Sequence, residues 1–424
     1  MQRYDTYKDS GVKWLGEIPG HWEVNKAKYL WKESFSVSEN GNEELLSVSQ
    51  YDGITPAKGD SRSESLQGYK IVSENDLVIN IMLAWMGGLG VSKYDGIVSP
   101  AYCVYKLTND SNPKYLHYLY KTPLYLAEFA RRSSGVIPSR WRMYTDDFGQ
   151  VVSLLPPRKE QDAIVEYLDE KMAKIDAAIA QQQKMIDLLN ERKQIIINRA
   201  VTRGLNPNAR MKDSGVEWIG EVPEHWEVRR LGSLGEFSKG GNISRDDLQE
   251  YGKCAILYGD IYTKYNIQTS IAKNHISEKT AEKSVRITKG DVLLTGSGET
   301  KEDIGKTIVY LGDEAFIGGD VILFRQQNNN STFLSYALNS QYAKDYRYKE
   351  SKGEIIVHIY ASSLKRLFLA LPPIEEQIKV VKYLDGQINA IDSEIEVINN
   401  QISLLQERKQ IVINEVVTGK VKVV

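Results

Sequence analysis

Two stretches of the chain repeat apolar residues in sevens. Between residues 161 and 201 the run is Val165, Leu168, Met172, Ile175, Ile179, Ile186, Leu189 and Ile196, interrupted by Gln182 and Lys193. The second run is Val381, Leu384, Ile388, Ile391, Ile395, Ile398, Ile402, Leu405 and Val412, interrupted by Lys409. Such spacing draws one apolar stripe along a helix, and the stripe needs a partner to cover it. Pro157 and Pro373 precede the two runs, where a missing N–H does no harm, while Gly204 with Pro207, and Gly419, follow their ends. Each predicted helix is about 40 residues, or about 60 Å at a rise of 1.5 Å per residue.

Two equal stripes in one chain meet at high effective concentration, which favours pairing within the chain over pairing with another molecule. Parallel pairing in register would set Lys193 against Lys409, and two like charges in a seam are costly. Antiparallel pairing separates them, sending Lys193 towards Leu384 and Lys409 towards Leu168. The remaining sequence has short β-rich runs at residues 76–82, 96–107, 291–295, 307–312 and 320–326, with helical patterns at 113–130 and 331–346. The expected architecture is α+β: two globular domains separated by a long antiparallel two-helix coiled coil, arranged as a tandem pseudo-twofold repeat.

The repeat is explicit in the residues. DSGVKWLGEIPGHWEV at 9–24 matches DSGVEWIGEVPEHWEV at 213–228 at 12 of 16 positions, with an offset of 204. LPPRKEQ from Leu155 and LPPIEEQ from Leu371 begin a second match of 24 identities over 50 positions, with an offset of 216. Between these frames the likeness is faint. Asp76 to Asn80 (DLVIN) parallels Asp291 to Thr295 (DVLLT), and Gly90-Val91-Ser92 parallels Gly305-Lys306-Thr307.

Composition adds exclusions. With 424 residues, 42% hydrophobic and 26% charged, and a mean hydropathy of -0.39, the chain reads as a folded soluble protein of several domains. Its N-terminus lacks an apolar signal region, and no apolar run approaches a membrane span, so a cytoplasmic, non-membrane protein is expected. Cys103 and Cys254 are too few for a disulfide framework or a four-ligand zinc site.

Catalytic motifs fail on spacing. GSGETKEDIGKT places six residues between Gly298 and Gly305 where a phosphate loop needs four, so a turn between strands is expected instead. His21 and His225 recur only inside the duplicated frame, beside Trp22 and Trp226, which points to packing rather than ligation. The Pro-Pro pairs do not stand in an Asn-Pro-Pro-aromatic motif, and no Pro-Asp dipeptide supplies the usual nuclease carboxylates. Catalytic and metal residues are expected to be none.

Charge is informative only locally. The net charge is -2, yet Lys121, Arg131, Arg132, Arg140 and Arg142 face Glu128 alone up to residue 142, with Trp141 and Tyr144 interleaved. The matching region of the second half holds Lys344, Arg347, Lys349, Lys352 and His358, and Gly353 aligns with Gly135. A solvated basic face is the ordinary reading of one such loop, but its recurrence in diverged repeats suits a phosphate grip.

The paired DSGVxWxGxxPxHWEV frames, the PPxxEQ approaches at 156–161 and 372–377, ERKQI at 191 and 407, and DGIVSPAY at 95–102 together resemble the specificity subunits of Type I restriction-modification systems. The likeness spans essentially the whole chain. It implies a target recognition domain at 1–155, a spacer helix at 156–204, a linker and second recognition domain at 205–371, and a second spacer helix at 372–424. It further implies double-stranded DNA as ligand, each domain reading half of a split asymmetric target. Two methyltransferase subunits would dock on the helices and restriction subunits join that core. S-adenosylmethionine, ATP and Mg would serve those partners, with no cofactor on this chain. The helix seam is expected at Leu168, Ile175, Ile179, Ile186 and Leu189 against Leu384, Ile391, Ile395, Ile402 and Leu405. The competing class is a coiled-coil scaffold spacing two protein-binding modules, which salt-dependent retention on DNA would separate. A stand-alone DNA-binding regulator would instead bind tightly without any partner.

Overall fold

In the computed structural model, which describes residues 2–50, 53–57, 65–137, 141–241 and 243–423, each heptad run is one unbroken helix. These are Arg158–Arg203 and Ile374–Val417. The chain divides into two units, Met1–Gln182 with Asn399–Val424 and Gln183–Ile398. Each unit therefore holds one part of both long helices.

In the first unit the heptad faces bury Leu168 and Met172 with Val412 and Val416 in one apolar cluster, and Lys409 Nζ donates to Asp176 at 2.6 Å. In the second, Ile197 and Val201 share a cluster with Leu384 and Ile388, and Lys193 Nζ donates to Asp392 at 2.5 Å. Within each unit the two segments run antiparallel, as expected. The register is not the expected one: Lys193 meets Asp392 rather than the neighbourhood of Leu384, and Lys409 meets Asp176 rather than that of Leu168. In the observed register each ammonium reaches a carboxylate across the seam while the apolar residues on both sides stay buried together. Of the expected seam residues, Leu168, Ile186, Leu189, Leu384 and Ile391 are buried, while Ile175, Ile179, Ile395, Ile402 and Leu405 are half-buried.

The globular part of the first unit centres on an antiparallel sheet ordered Trp31–Ser34, Tyr102–Leu107, Leu77–Asn80, Leu89–Val91. Its second-unit counterpart is ordered Glu236–Lys239, Val321–Arg325, Val292–Thr295, Thr307–Tyr310, Gln268–Thr269. Register at its centre pairs Leu293 with both Leu323 and Ile308, so the middle strand is apolar on every side. The second unit adds another five-stranded sheet containing Lys253–Ile256 and Glu314–Ile317. Each expected globular helix divides in two, Pro113–Tyr120 with Pro123–Arg132, and Ser331–Leu338 with Gln341–Glu350. The first break has a local cause: Thr122 caps the new helix through Tyr125 N–H, and Pro123 occupies its first turn.

The duplicated frames turn out to be joints. Glu160 accepts from Trp22 Nε1 at 3.1 Å and lies 2.7 Å from His21 Nε2; Glu376 lies 2.8 Å from His225 Nε2. Gln161 Oε1 accepts from the N–H of Asn112, and Asn112 in turn caps Pro113–Tyr120. Gln377 and Asn330 repeat that arrangement for Ser331–Leu338. The ends of the long helices close the same joints. A Cβ on Gly419 would lie 2.5 Å from Pro19, and one on Gly204 3.0 Å from the Trp226 ring, so both glycines are needed for close approach as well as for positive φ. His21 and His225 are exposed hydrogen-bond partners of Glu160 and Glu376 rather than residues packed beside Trp22 and Trp226.

Candidate nucleic-acid interface

Immediately after the Pro123–Arg132 and Gln341–Glu350 helices, each unit turns the chain into a short hairpin. In the first, Ser134 and Arg142 exchange backbone hydrogen bonds of 3.0 and 2.9 Å. In the second, Lys352 and His358 exchange bonds of 3.0 and 2.8 Å. Gly353 is required there: its φ is +109°, and a Cβ would sit 2.1 Å from the carbonyl oxygen of Ile356. The second hairpin is stitched to the sheet by Val357–His358 pairing with Ser297–Gly298, and by a 2.9 Å approach of His358 Nδ1 to Ser297 Oγ. Trp141 packs edge-on against Trp85 at the base of the first, with ring centroids 5.4 Å apart.

The sequence-expected cations do not share one environment. Arg131 and Arg132 both grip Glu128, whose side chain is buried. Burial would raise that carboxyl, but the two guanidinium hydrogen bonds outweigh it and hold it below the usual range. Arg131 remains largely exposed despite the pair. Lys121 points inward, donating to the carbonyls of Gln50 and Gly87 at 2.8 Å each. Arg142 is half-buried on the hairpin stem, and Arg140 lies outside the described residues.

In the second unit Lys349 and Lys352 are exposed. Lys344 is half-buried, its ammonium pushed down by burial and then by neighbouring Arg347, and it donates to Gln194 at 3.3 Å. Arg347 is 1% exposed. Its guanidinium donates to the carbonyls of Ile304 and Leu338, and burial lowers it to about 10. Lys121 and Arg347 are therefore corrections to the sequence reading: both satisfy internal carbonyls and neither can reach a phosphate without leaving the fold. Periodicity carried the warning for Arg347, since it shares the inward face of its helix with Tyr342, Ala343 and Tyr346.

The loop suspected of mimicking a phosphate-binding motif joins antiparallel strands, Val292–Thr295 and Thr307–Tyr310, as expected. Lys306 is spent on the carbonyls of Tyr262 and Tyr265 at 3.1 and 2.8 Å. The same loop instead borders a cleft of about 1280 Å³ in the second unit, which sequence reading missed. Lys239, Arg245 and Lys264 line it among Asp247, Asp260, Glu299, Asp303 and Asp320, together with Asn274 and with Gly298 at the foot of the hairpin. The cleft is built from loops far apart in sequence, so no local cluster announced it. Among the described residues, no group of three His, Cys, Asp or Glu side chains could hold a metal ion, and no helix is long and apolar enough to cross a membrane.

The same architecture is found in a solved structure described as the structural basis of complex assembly and conformational transition of the type I R-M system. The match has a TM-score of 0.69, with 16% identity, over 94% of this chain and 98% of that one. Residues 223–404 match the family model of the Type I restriction modification DNA specificity domain. A Methanocaldococcus jannaschii chain assigned as the MjaX type I restriction enzyme specificity subunit is 23% identical over 98% of both chains. The MjaVIII specificity subunit of the same organism is 25% identical over 83% of this chain and 80% of its own. The EcoBI specificity subunit of Escherichia coli is 21% identical over 84% and 75%. A duplicated α+β chain with this fold and these matches is a DNA-specificity protein of restriction-modification systems. Within that class the relatives it resembles are Type I specificity subunits, whose part in the system is recognition rather than catalysis.

Proposed function

We propose that each unit reads one half of a split, asymmetric DNA target through its hairpin and the loops around it. The observation that carries this is the recurrence of the hairpin, with cations on its stem, at the same place in two units whose frames match and whose interiors have diverged. Identical readers on a pseudo-twofold frame would select a palindrome, whereas diverged readers select two different half-sites. Arg131, Arg132, Arg142, Lys349 and Lys352 are the phosphate-facing candidates that remain, with Arg140 assigned on sequence alone and His358 beside them. In the second unit, Arg245 on the wall of the cleft has donors suited to base edges.

The long helices have a second apolar face, which supports docking of two methyltransferase subunits. Leu188 and Ile195 on one helix, and Val397, Leu404 and Ile411 on the other, are exposed at spacings of seven, and Leu188 and Ile195 recur as Leu404 and Ile411 across the 216-residue offset. Stripes of this kind match a partner helix rather than water. Restriction subunits would join that core in the cytoplasm, and S-adenosylmethionine, ATP and Mg would be bound by the partners.

The test is the salt dependence of binding by the assembled complex. Replacing Arg142, Lys349 and Lys352 with Gln should reduce the slope of log affinity against log salt by about 0.9 for each phosphate no longer neutralised, and weaken binding roughly tenfold or more. Arg131 and Arg132 are left in place because removing them strands the buried Glu128 carboxylate. An unchanged slope in a folded complex would remove these cations from the interface.

A further inference from the structure

The hairpins carry a feature that phosphate binding does not use. Just beyond the stem of the first, Val136 is 95% exposed, with Ile137 exposed beside it. At the tip of the second, Ile355 is 89% exposed, with Ile356 exposed beside it. Both tips thus present two adjacent branched apolar side chains to water. Isolated exposed apolar residues are ordinary on protein surfaces, but here a pair recurs at the tip of the same structural device in two diverged domains. The backbone invests in each presentation: both stems are closed by paired hydrogen bonds, and Gly353 admits no side chain.

From this we infer that the two tips enter a groove of the DNA and pack directly against bases, each tip supplying the apolar part of half-site recognition while the stem cations hold the backbone. The inference rests on the DNA-reading role proposed above. Charge complementarity selects the partner. Arg131 and Arg142 flank the first tip, Lys349 and Lys352 the second, where exposed Glu354 is the one carboxylate beside the apolar pair, and an apolar pair with cations in excess around it fits the interior of a groove lined by phosphates better than the apolar face of a protein. Branched side chains inserted in a groove meet thymine methyls or the faces of partly unstacked bases, both of which exclude water from them.

Packing of this kind is separable from phosphate binding by its salt dependence. The experiment uses the full chain assembled with its methyltransferase partners. Its DNA probe is a 40-base-pair duplex cloned from a randomised pool after selection by the wild-type complex. Val136→Ser with Ile137→Ser, and Ile355→Ser with Ile356→Ser, should each lower affinity about tenfold to a hundredfold, the scale set by burying about half the apolar surface of two branched side chains. The salt slope should stay at its wild-type value because every phosphate is still neutralised as before. Melting temperature and co-purification with the methyltransferase should be unchanged, since the replaced side chains are exposed in this chain. The conservative changes Val136→Ile and Ile355→Val should retain affinity within about threefold, within the range of one methylene against an apolar surface.

Unchanged affinity in both serine variants would overturn the inference, and so would a reduced salt slope, which would make the tips part of the phosphate grip. Loss of co-purification would overturn it in favour of a protein-docking role. If the wild-type complex selects no duplex at all, the failure belongs to the parent reading and not to the tips.

Discussion

Inserting one heptad between Gln182 and Gln183, and another between Ile398 and Asn399, is expected to lengthen the DNA target without changing its two recognised ends. Those positions are where the two units divide. The Asp176–Lys409 and Lys193–Asp392 pairs each lie wholly within one unit. Seven residues preserve the apolar seam and add about 10.5 Å, close to three base pairs. They also change the angle at which one half-site is met by about 100° on a duplex of 10 to 10.5 base pairs per turn. Selection from a randomised pool should therefore return the original half-sites with about three more base pairs between them, and affinity for the original target should fall by more than about a hundredfold, the cost of leaving one half-site unread. Recovery of the original spacing at full affinity would show that helix length does not set the separation.

Leu384→Asp should destabilise the second unit by roughly 4 kcal/mol or more. Leu384 is fully buried in the apolar cluster it shares with Ile197, Val201 and Ile388. A domain with a stability of about 5 to 15 kcal/mol loses much of its margin by such a change. The sign with pH follows from burial, which raises the introduced carboxyl in the folded state only. The defect is smallest below about pH 4, where the group is neutral in both states, and grows as pH rises through the raised folded value. Leu404→Asp makes the contrast. Leu404 is 64% exposed on the outer stripe, so stability should stay within about 0.5 kcal/mol while co-purification with the methyltransferase is abolished. Thermal unfolding followed across pH, beside a pull-down, separates the two. Equal loss of stability in both variants would contradict the assignment of inner and outer faces.

The parts of the molecule governed by periodicity were legible from sequence. Heptads gave the long helices, their duplication gave the pairing, and Lys193 with Lys409 gave its antiparallel sense. Register was not legible, because it depends on which of several carboxylates an ammonium can reach, and Asp176 and Asp392 look like ordinary outer-face residues in the sequence. The basic clusters were legible as charge and misleading as surface. Lys121 and Arg347 are near exposed cations in sequence, but each is drawn inward by carbonyls that other segments supply. Glu160, Gln161, Glu376 and Gln377 stood out only as repeated letters, and their chemistry became clear once His21, Asn112, His225 and Asn330 were beside them. The cleft around Lys239 and Arg245 had no linear signature at all. The apolar pairs went unremarked because these loops were read for their charge, and the exposure of Val136 and Ile355 is a property of the folded chain.

The central claim is that two diverged domains of one chain read two different half-sites. It is tested most directly by mapping methylated adenines genome-wide in cells that express this chain with its methyltransferase partner. The account predicts one asymmetric sequence in two specified parts, separated by a fixed run of unspecified base pairs, with modification lost when this chain is deleted. A continuous or palindromic methylated sequence, or a methylation pattern indifferent to the deletion, would contradict it.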